Sequence, residues 1–353
     1  MHVGLSLIFQ GSATRTDHEV YADELKLARL AEPLGFDSVW TVEHHFTSYT
    51  MVPDPLQFLT YMAGCTERVQ LGTMVVVLPW HDPVRVAEGV AMLDNLSGGR
   101  VILGIGRGLG RVEFGGFGVS MDESRARFVE SARIVLEGLE KGRVQHEGTY
   151  YQQAPRDLRP APFKSFRDRT YASAVSPESV RIMADLRVGI MIVPQKPWEQ
   201  VVAELAEYRD LYREASGAEP PPPASAGWVF CDPDAGRARE LGEQYVGRYY
   251  ETVIDHYEFT SDHLATTKGY EYYGRLSGYL DKHGTAPAIK AFTDLHVIGT
   301  PKQCIDKIED IRRMVGNDMF MAVCAYGDME PEESERNVRL FASEVMPAVK
   351  QLS

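Results

Sequence analysis

Eight short apolar runs, most of them followed by a stretch with helical spacing, constrain this chain more than any other feature of its 353 residues. The runs fall at residues 3–9, 38–42, 69–78, 101–105, 170–174, 188–193, 227–231 and 319–326. Several are continuously apolar or β-branched and do not alternate, as strands buried on both faces of a parallel sheet do. Helix signals lie between them. The segment 17–34 stops at Gly35, Pro83 opens a segment over 84–95, and 56–65, 125–139, 198–215 and 332–352 carry the same spacing. Strand–helix units repeated in this number predict a closed α/β fold, the (β/α)8 TIM barrel, in preference to an open doubly wound sheet.

Two stretches break the rhythm. Residues 142–169 are dotted with proline and read as an irregular insertion, and 256–289 is rich in Tyr, Gly, Lys and Thr without a clear period, as lids and insertions are. The run Pro220-Pro221-Pro222-Pro223 is a stiff connector, but a strand follows it at once, so a single domain over 1–353 is expected.

Charge narrows the partners. The formal net charge is −13 with no basic run, which disfavours nucleic acid and anionic membrane surfaces. No segment approaches the roughly 20 apolar residues of a membrane span, and the first ten residues form a strand pattern and not a leader, so a cytoplasmic protein is expected. Cys65, Cys231, Cys304 and Cys324 are scattered, and there is no HExxH helix, so no metal centre is expected.

In a barrel of this kind the residues following each strand converge on one rim. Glu43-His44-His45-Phe46 follows the second strand, Gly104-Ile105-Gly106-Arg107-Gly108 the fourth, and Ser176-Pro177-Glu178-Ser179 the fifth. Gly106 and Gly108 let backbone approach a ligand, the Arg107 guanidinium suits a phosphate, and Ser176 and Ser179 stand where a helix N-terminus favours an anion. The spacing allows a plainer reading as well: glycines that turn the chain, Arg107 on a structural carboxylate, Ser176 as a cap. His44 and His45 suit proton transfer near neutral pH or simple packing. The aromatic content between Tyr245 and Tyr279 suits an aromatic substrate wall or helix packing, and the spacing favours packing.

Taken in order, these residues resemble the bacterial luciferase-like flavin-dependent monooxygenases. The resemblance is carried by Leu34-Gly35-Phe36-Asp37-Ser38-Val39-Trp40, Glu43-His44-His45-Phe46, Leu71-Gly72-Thr73, His81-Asp82-Pro83-Val84-Arg85 and Gly104-Ile105-Gly106-Arg107-Gly108-Leu109. It continues through Glu113-Phe114, Ser124-Arg125, Thr267-Lys268-Gly269-Tyr270, Gly299-Thr300-Pro301 and Val345-Met346-Pro347.

The resemblance implies an FMN-dependent monooxygenase that takes reduced FMN as a co-substrate from a separate NAD(P)H-dependent flavin reductase. With dioxygen it would oxygenate a small organic molecule through a peroxyflavin. Arg107 and Arg125, with Val175, Ser176 and Ser179, would hold the flavin phosphate. A non-prolyl cis peptide would fall at Met74-Val75 on the flavin wall. His44 and Glu113 would carry the chemistry, and His45, Lys268 and Tyr270 would belong to the substrate pocket and its lid. A homodimer is implied too. Gly106, Val175 and Pro194 stand where luciferases carry a cysteine, an acidic residue and a tryptophan, which alters the flavin-facing wall. A deazaflavin-dependent oxidoreductase and a non-catalytic flavin-binding protein share much of this pattern.

Overall fold

The computed structural model describes residues 1–173 and 177–352. Eight parallel strands close on themselves: β1 (His2–Leu7), β2 (Ser38–Thr41), β3 (Gln70–Thr73), β4 (Val101–Gly106), β5 (Thr170–Ser173), β6 (Gly189–Ile192), β7 (Ala224–Cys231) and β8 (Met319–Val323). Neighbours in sequence are neighbours in the sheet, β8 pairs with β1 through Gly4↔Met321, and β6 meets β7 through Ala224↔Met191. This is the TIM barrel that the alternation predicts. All six residues of β4 and all eight of β7 are buried, which is why their sequences do not alternate.

Local signals set the helices that wrap the barrel. Thr16 and Glu19 form a capping box at the start of Asp17–Leu34, and Gly35 ends that helix in the left-handed conformation at φ +89°. The Asp82 carboxylate accepts from the N–H groups of Val84 and Arg85, starting Pro83–Leu96 where the proline needs no donor. Inside the barrel, Trp40 of β2 is fully buried and donates from its indole nitrogen to Ser38 Oγ at 2.7 Å. Its indole fills the space in front of two glycines on the flanking strands. A Cβ at Gly72 would stand 2.2 Å from Trp40 Cε3, and one at Gly4 2.6 Å from Nε1. Alanine at either position forces overpacking that costs about 1–3 kcal/mol or more.

The two rhythm-breaking stretches are more regular than their sequences suggest. Within 142–169, Arg143–Glu147 and Gln152–Asp157 form an antiparallel hairpin in place of the expected irregular loop. Glu130 pins its turn by accepting from the N–H groups of Thr149, Tyr150 and Tyr151. The second stretch begins inside the helix Ala235–His256 and continues as His263–Thr266, Glu271–His283 and Thr285–Asp294. These helices are too short and too often interrupted to show a period. Val297–Gly299, not expected from sequence, pairs with the outer end of β7. Among the described residues no helix is long and apolar enough to cross a membrane.

Candidate active site

A cavity of about 520 Å³ opens at the carboxyl-terminal ends of the strands. Met74 and Val75 after β3, Arg107 after β4 and Ser179 after β5 lie on its wall, so the rim clusters of the sequence do converge. The Met74–Val75 peptide is cis. Gly106 is required there, because a Cβ on it would stand 2.4 Å from Val75 Cγ2. Val175 and Ser176 lie outside the described residues.

At one end two guanidinium groups meet. Arg107 and Arg125 both donate to the Gly269 carbonyl, at 3.0 and 3.4 Å, and Arg125 also pairs with Glu178 at 3.1 Å. Arg107 lies flat on the Tyr270 ring, 3.9 Å from its centroid. Tyr270 is itself fully buried; its hydroxyl donates to the Gly108 carbonyl and lies 3.0 Å from Ser124 Oγ, which can donate to it. Arg107 Nη1 and Arg125 Nε are buried yet have no acceptor among the described residues. Buried charged donors left without acceptors are costly, so this corner is chemically suited to an anion with several oxygens.

A second cluster carries proton chemistry. Glu113, in the first turn of Arg111–Phe117, is wholly buried; it accepts from the His45 N–H at 2.9 Å and pairs with His44 Nδ1 at 3.0 Å. Its other oxygen faces His256 Nε2 at 3.4 Å, and His256 Nδ1 is 2.7 Å from Thr47 Oγ1. Burial alone would raise the Glu113 carboxyl; the two histidines outweigh it and take it down to about 2. Burial also lowers His256, against the pull of Glu113. His44 lines the cavity, with Glu113 behind it. The donor atoms of His44, Glu113 and His256 lie within 4.8 Å of one another, the one trio among the described residues that could hold a metal ion.

His45 takes the opposite direction from His44, as successive residues of an extended segment must. Its Nε2 reaches Glu43 at 3.1 Å and its ring packs 4.6 Å from Phe117, so it is not on the cavity wall. Glu43 is a second buried hub, bonded also by His81 Nε2 and the Val77 N–H; burial opposes its ionisation, and these partners hold it below its ordinary value. Lys268 is exposed, and its backbone N–H donates to the Asp122 carboxylate. Tyr270 packs on Arg107 and is not among the residues that line the cavity. The sequence reading missed His256 and Thr47, which join the cluster through long-range folding that no local motif announces, and named Glu43 in the rim cluster without giving it a role.

A model of the luciferase-like monooxygenase family matches residues 1–318. The alkanal monooxygenase alpha chain of Photorhabdus luminescens is 28% identical over 341 residues, covering 94% of this chain and 93% of the relative. Among solved structures, monooxygenase RslO1 from Streptomyces bottropensis superposes with a TM-score of 0.83 at 32% identity, covering 98% of this chain and 99% of that one. Two more share the fold at 20% identity. The oxygenating constituent of 3,6-diketocamphane monooxygenase from Pseudomonas putida, in complex with FMN, has a TM-score of 0.76 and covers 98% of each chain. An F420-dependent secondary alcohol dehydrogenase has a TM-score of 0.74, covering 99% of this chain and 98% of that one.

Proposed function

This chain belongs to the luciferase-like monooxygenases and is a flavin-dependent oxidoreductase, and from that premise we propose that it uses reduced FMN and dioxygen to oxygenate an organic substrate. The observation that carries the cofactor is the pair of buried donors on Arg107 and Arg125 that have no acceptor among the described residues, in the same cavity as His44. A phosphate dianion would accept from both guanidinium groups and from Ser179, in the first turn of Pro177–Leu186. When bound, reduced FMN supplies the two electrons that activate dioxygen.

The chain's own residues supply binding, orientation and proton handling. The Glu113 carboxylate accepts from His44 Nδ1–H, which fixes the ring and leaves Nε2 as the nitrogen not engaged by Glu113. Nε2 can then take a proton from, or return one to, a group in the cavity. Ionised Glu113 also stabilises the imidazolium formed after proton uptake, by charge across a 3.0 Å contact. Ile8, Val42, Met74 and Leu109 on the wall keep water from competing.

The reaction as proposed takes place in the cytoplasm, in a homodimer, with reduced flavin delivered by a separate NAD(P)H-dependent reductase. The direct competitor is a deazaflavin, since the F420-dependent alcohol dehydrogenase has the same fold. Absorbance titration with FMN and with deazaflavin separates the two. FMN binding together with label from isotopic dioxygen in the product supports the proposal; tight deazaflavin binding with no oxygen incorporation overturns it.

A further inference from the structure

The wall facing the flavin corner is mostly aromatic. In an eight-strand ring β7 stands opposite β3, so Trp228 on β7 and the helix Ala235–His256 that follows look across the cavity at Met74, Val75 and Arg107. Trp228, Tyr249, Tyr257, Phe259 and Phe292 all line that side, and Tyr49, after β2, joins them. The rings form a continuous surface. Trp228 and Tyr249 have centroids 4.8 Å apart, Tyr49 and Tyr257 5.6 Å, and Tyr257 and Phe259 5.4 Å at 29°. His44 abuts this surface edge-on at Tyr49, 4.8 Å away.

Two residues of this apolar wall also carry buried polar atoms. Trp228 Nε1–H and Thr50 Oγ1 are both buried, both on residues of the cavity wall, and neither has a hydrogen-bond partner among the described residues. A buried indole N–H is a donor only, so it calls for an acceptor oxygen. The Tyr49 and Tyr249 hydroxyls, 2.8 Å apart, add a neutral polar edge; burial takes the Tyr49 phenol up to about 12 and also holds Tyr249 well above its ordinary value.

We infer that the substrate is a fused-ring aromatic molecule bearing a hydroxyl or carbonyl oxygen, bound between the flavin and this aromatic wall, and not a straight-chain alkanal. An alkyl chain of equal area gains burial alone, whereas a ring also gains the edge and face electrostatics of aromatic pairs, about two- to tenfold in affinity per well-placed contact. The oxygen accepts from Trp228 Nε1–H, orienting the ring toward His44. In the balanced step, one atom of dioxygen converts a ring C–H to C–OH. The other leaves as water, with two electrons and two protons from the reduced flavin.

The inference rests on the FMN monooxygenase reading, and the test keeps the two apart. The full-length FMN-loaded protein is titrated with 1-naphthol and with decanal, following tryptophan fluorescence, and then supplied with reduced FMN and labelled dioxygen for product mass spectrometry. The expected result is naphthol affinity about tenfold or more above decanal, with label in the naphthol product. Trp228→Phe keeps a ring and loses the N–H, so naphthol binding should weaken about fivefold with FMN affinity unchanged. Should Trp228→Phe not fold, Tyr257→Phe and Tyr257→Leu test the ring contribution, the leucine alone weakening naphthol. Equal or preferential use of decanal, or Trp228→Phe and Tyr257→Leu that both bind naphthol as the parent does, overturns the inference and leaves the FMN reading intact. A protein with no FMN affinity overturns the FMN reading itself.

Discussion

The two sides of the cavity are built differently. The side formed by the ends of β2 to β5 takes its polar groups from strand ends and the first turns of helices: His44 and Arg107 after β2 and β4, Glu113 and Arg125 at the starts of Arg111–Phe117 and Ser124–Lys141. The side formed by β7 and the helix Ala235–His256 presents rings from helical turns, packed on one another, with few charges. The first is suited to gripping a fixed, charged cofactor. The second can be altered by helix substitutions without disturbing the first, which separates cofactor binding from substrate choice.

That separation makes the largest expected effect one of chemistry with binding spared. His44→Ala should lower turnover by about 10²–10⁴-fold with FMN affinity close to that of the parent, measured by single-turnover kinetics and flavin titration. Next comes Arg125→Ala, expected to weaken FMN about tenfold or more while leaving the bound substrate's turnover rate within about twofold. Equal loss of kcat in Arg125→Ala would break the separation. His256→Gln removes one partner from Glu113, so the carboxyl should rise from about 2 and the acid limb of the kcat profile should move to higher pH. The charged and titratable groups facing His256 include Glu113, His44 and Glu258, the Tyr49 and Tyr257 rings pack on it, and Thr47 holds its other nitrogen. Unchanged KM for FMN distinguishes this from a loosened fold.

The smallest effect is on stability. Glu113 is depressed from 4.5 to about 2, so its contribution is full above about 4.5 and is lost as pH falls toward 2. Between those values Tm should fall more steeply in the parent than in Glu113→Gln, as scanning calorimetry at stepped pH can measure.

Legibility followed the same division. All eight barrel strands could be read because parallel strands buried on both faces are continuous apolar runs, and Arg107 and His44 could be read because motifs follow those runs directly, whereas Glu113 was implied only by the family resemblance. The hairpin Arg143–Glu147 with Gln152–Asp157 could not, since most of its residues face water and its turn depends on Glu130 of another element. His45 looked equivalent to His44 in sequence, but one residue along an extended segment reverses direction and sends it to Glu43. His256 closes a helix remote from Glu113 in sequence, so only the closed barrel reveals their contact. The tyrosines between Tyr245 and Tyr279 carry helical spacing that core packing and a cavity wall share, and the sequence reading favoured packing; Tyr249, Tyr250 and Tyr257 in fact line the cavity.

The central claim is that Arg107 and Arg125 hold a flavin by its phosphate. Comparing FMN with riboflavin, which lacks that phosphate, in the parent and in Arg107→Ala tests it most directly. The expected result is a preference for FMN of about a hundredfold in the parent that collapses toward unity in the variant. Equal affinity for the two flavins in the parent would contradict it.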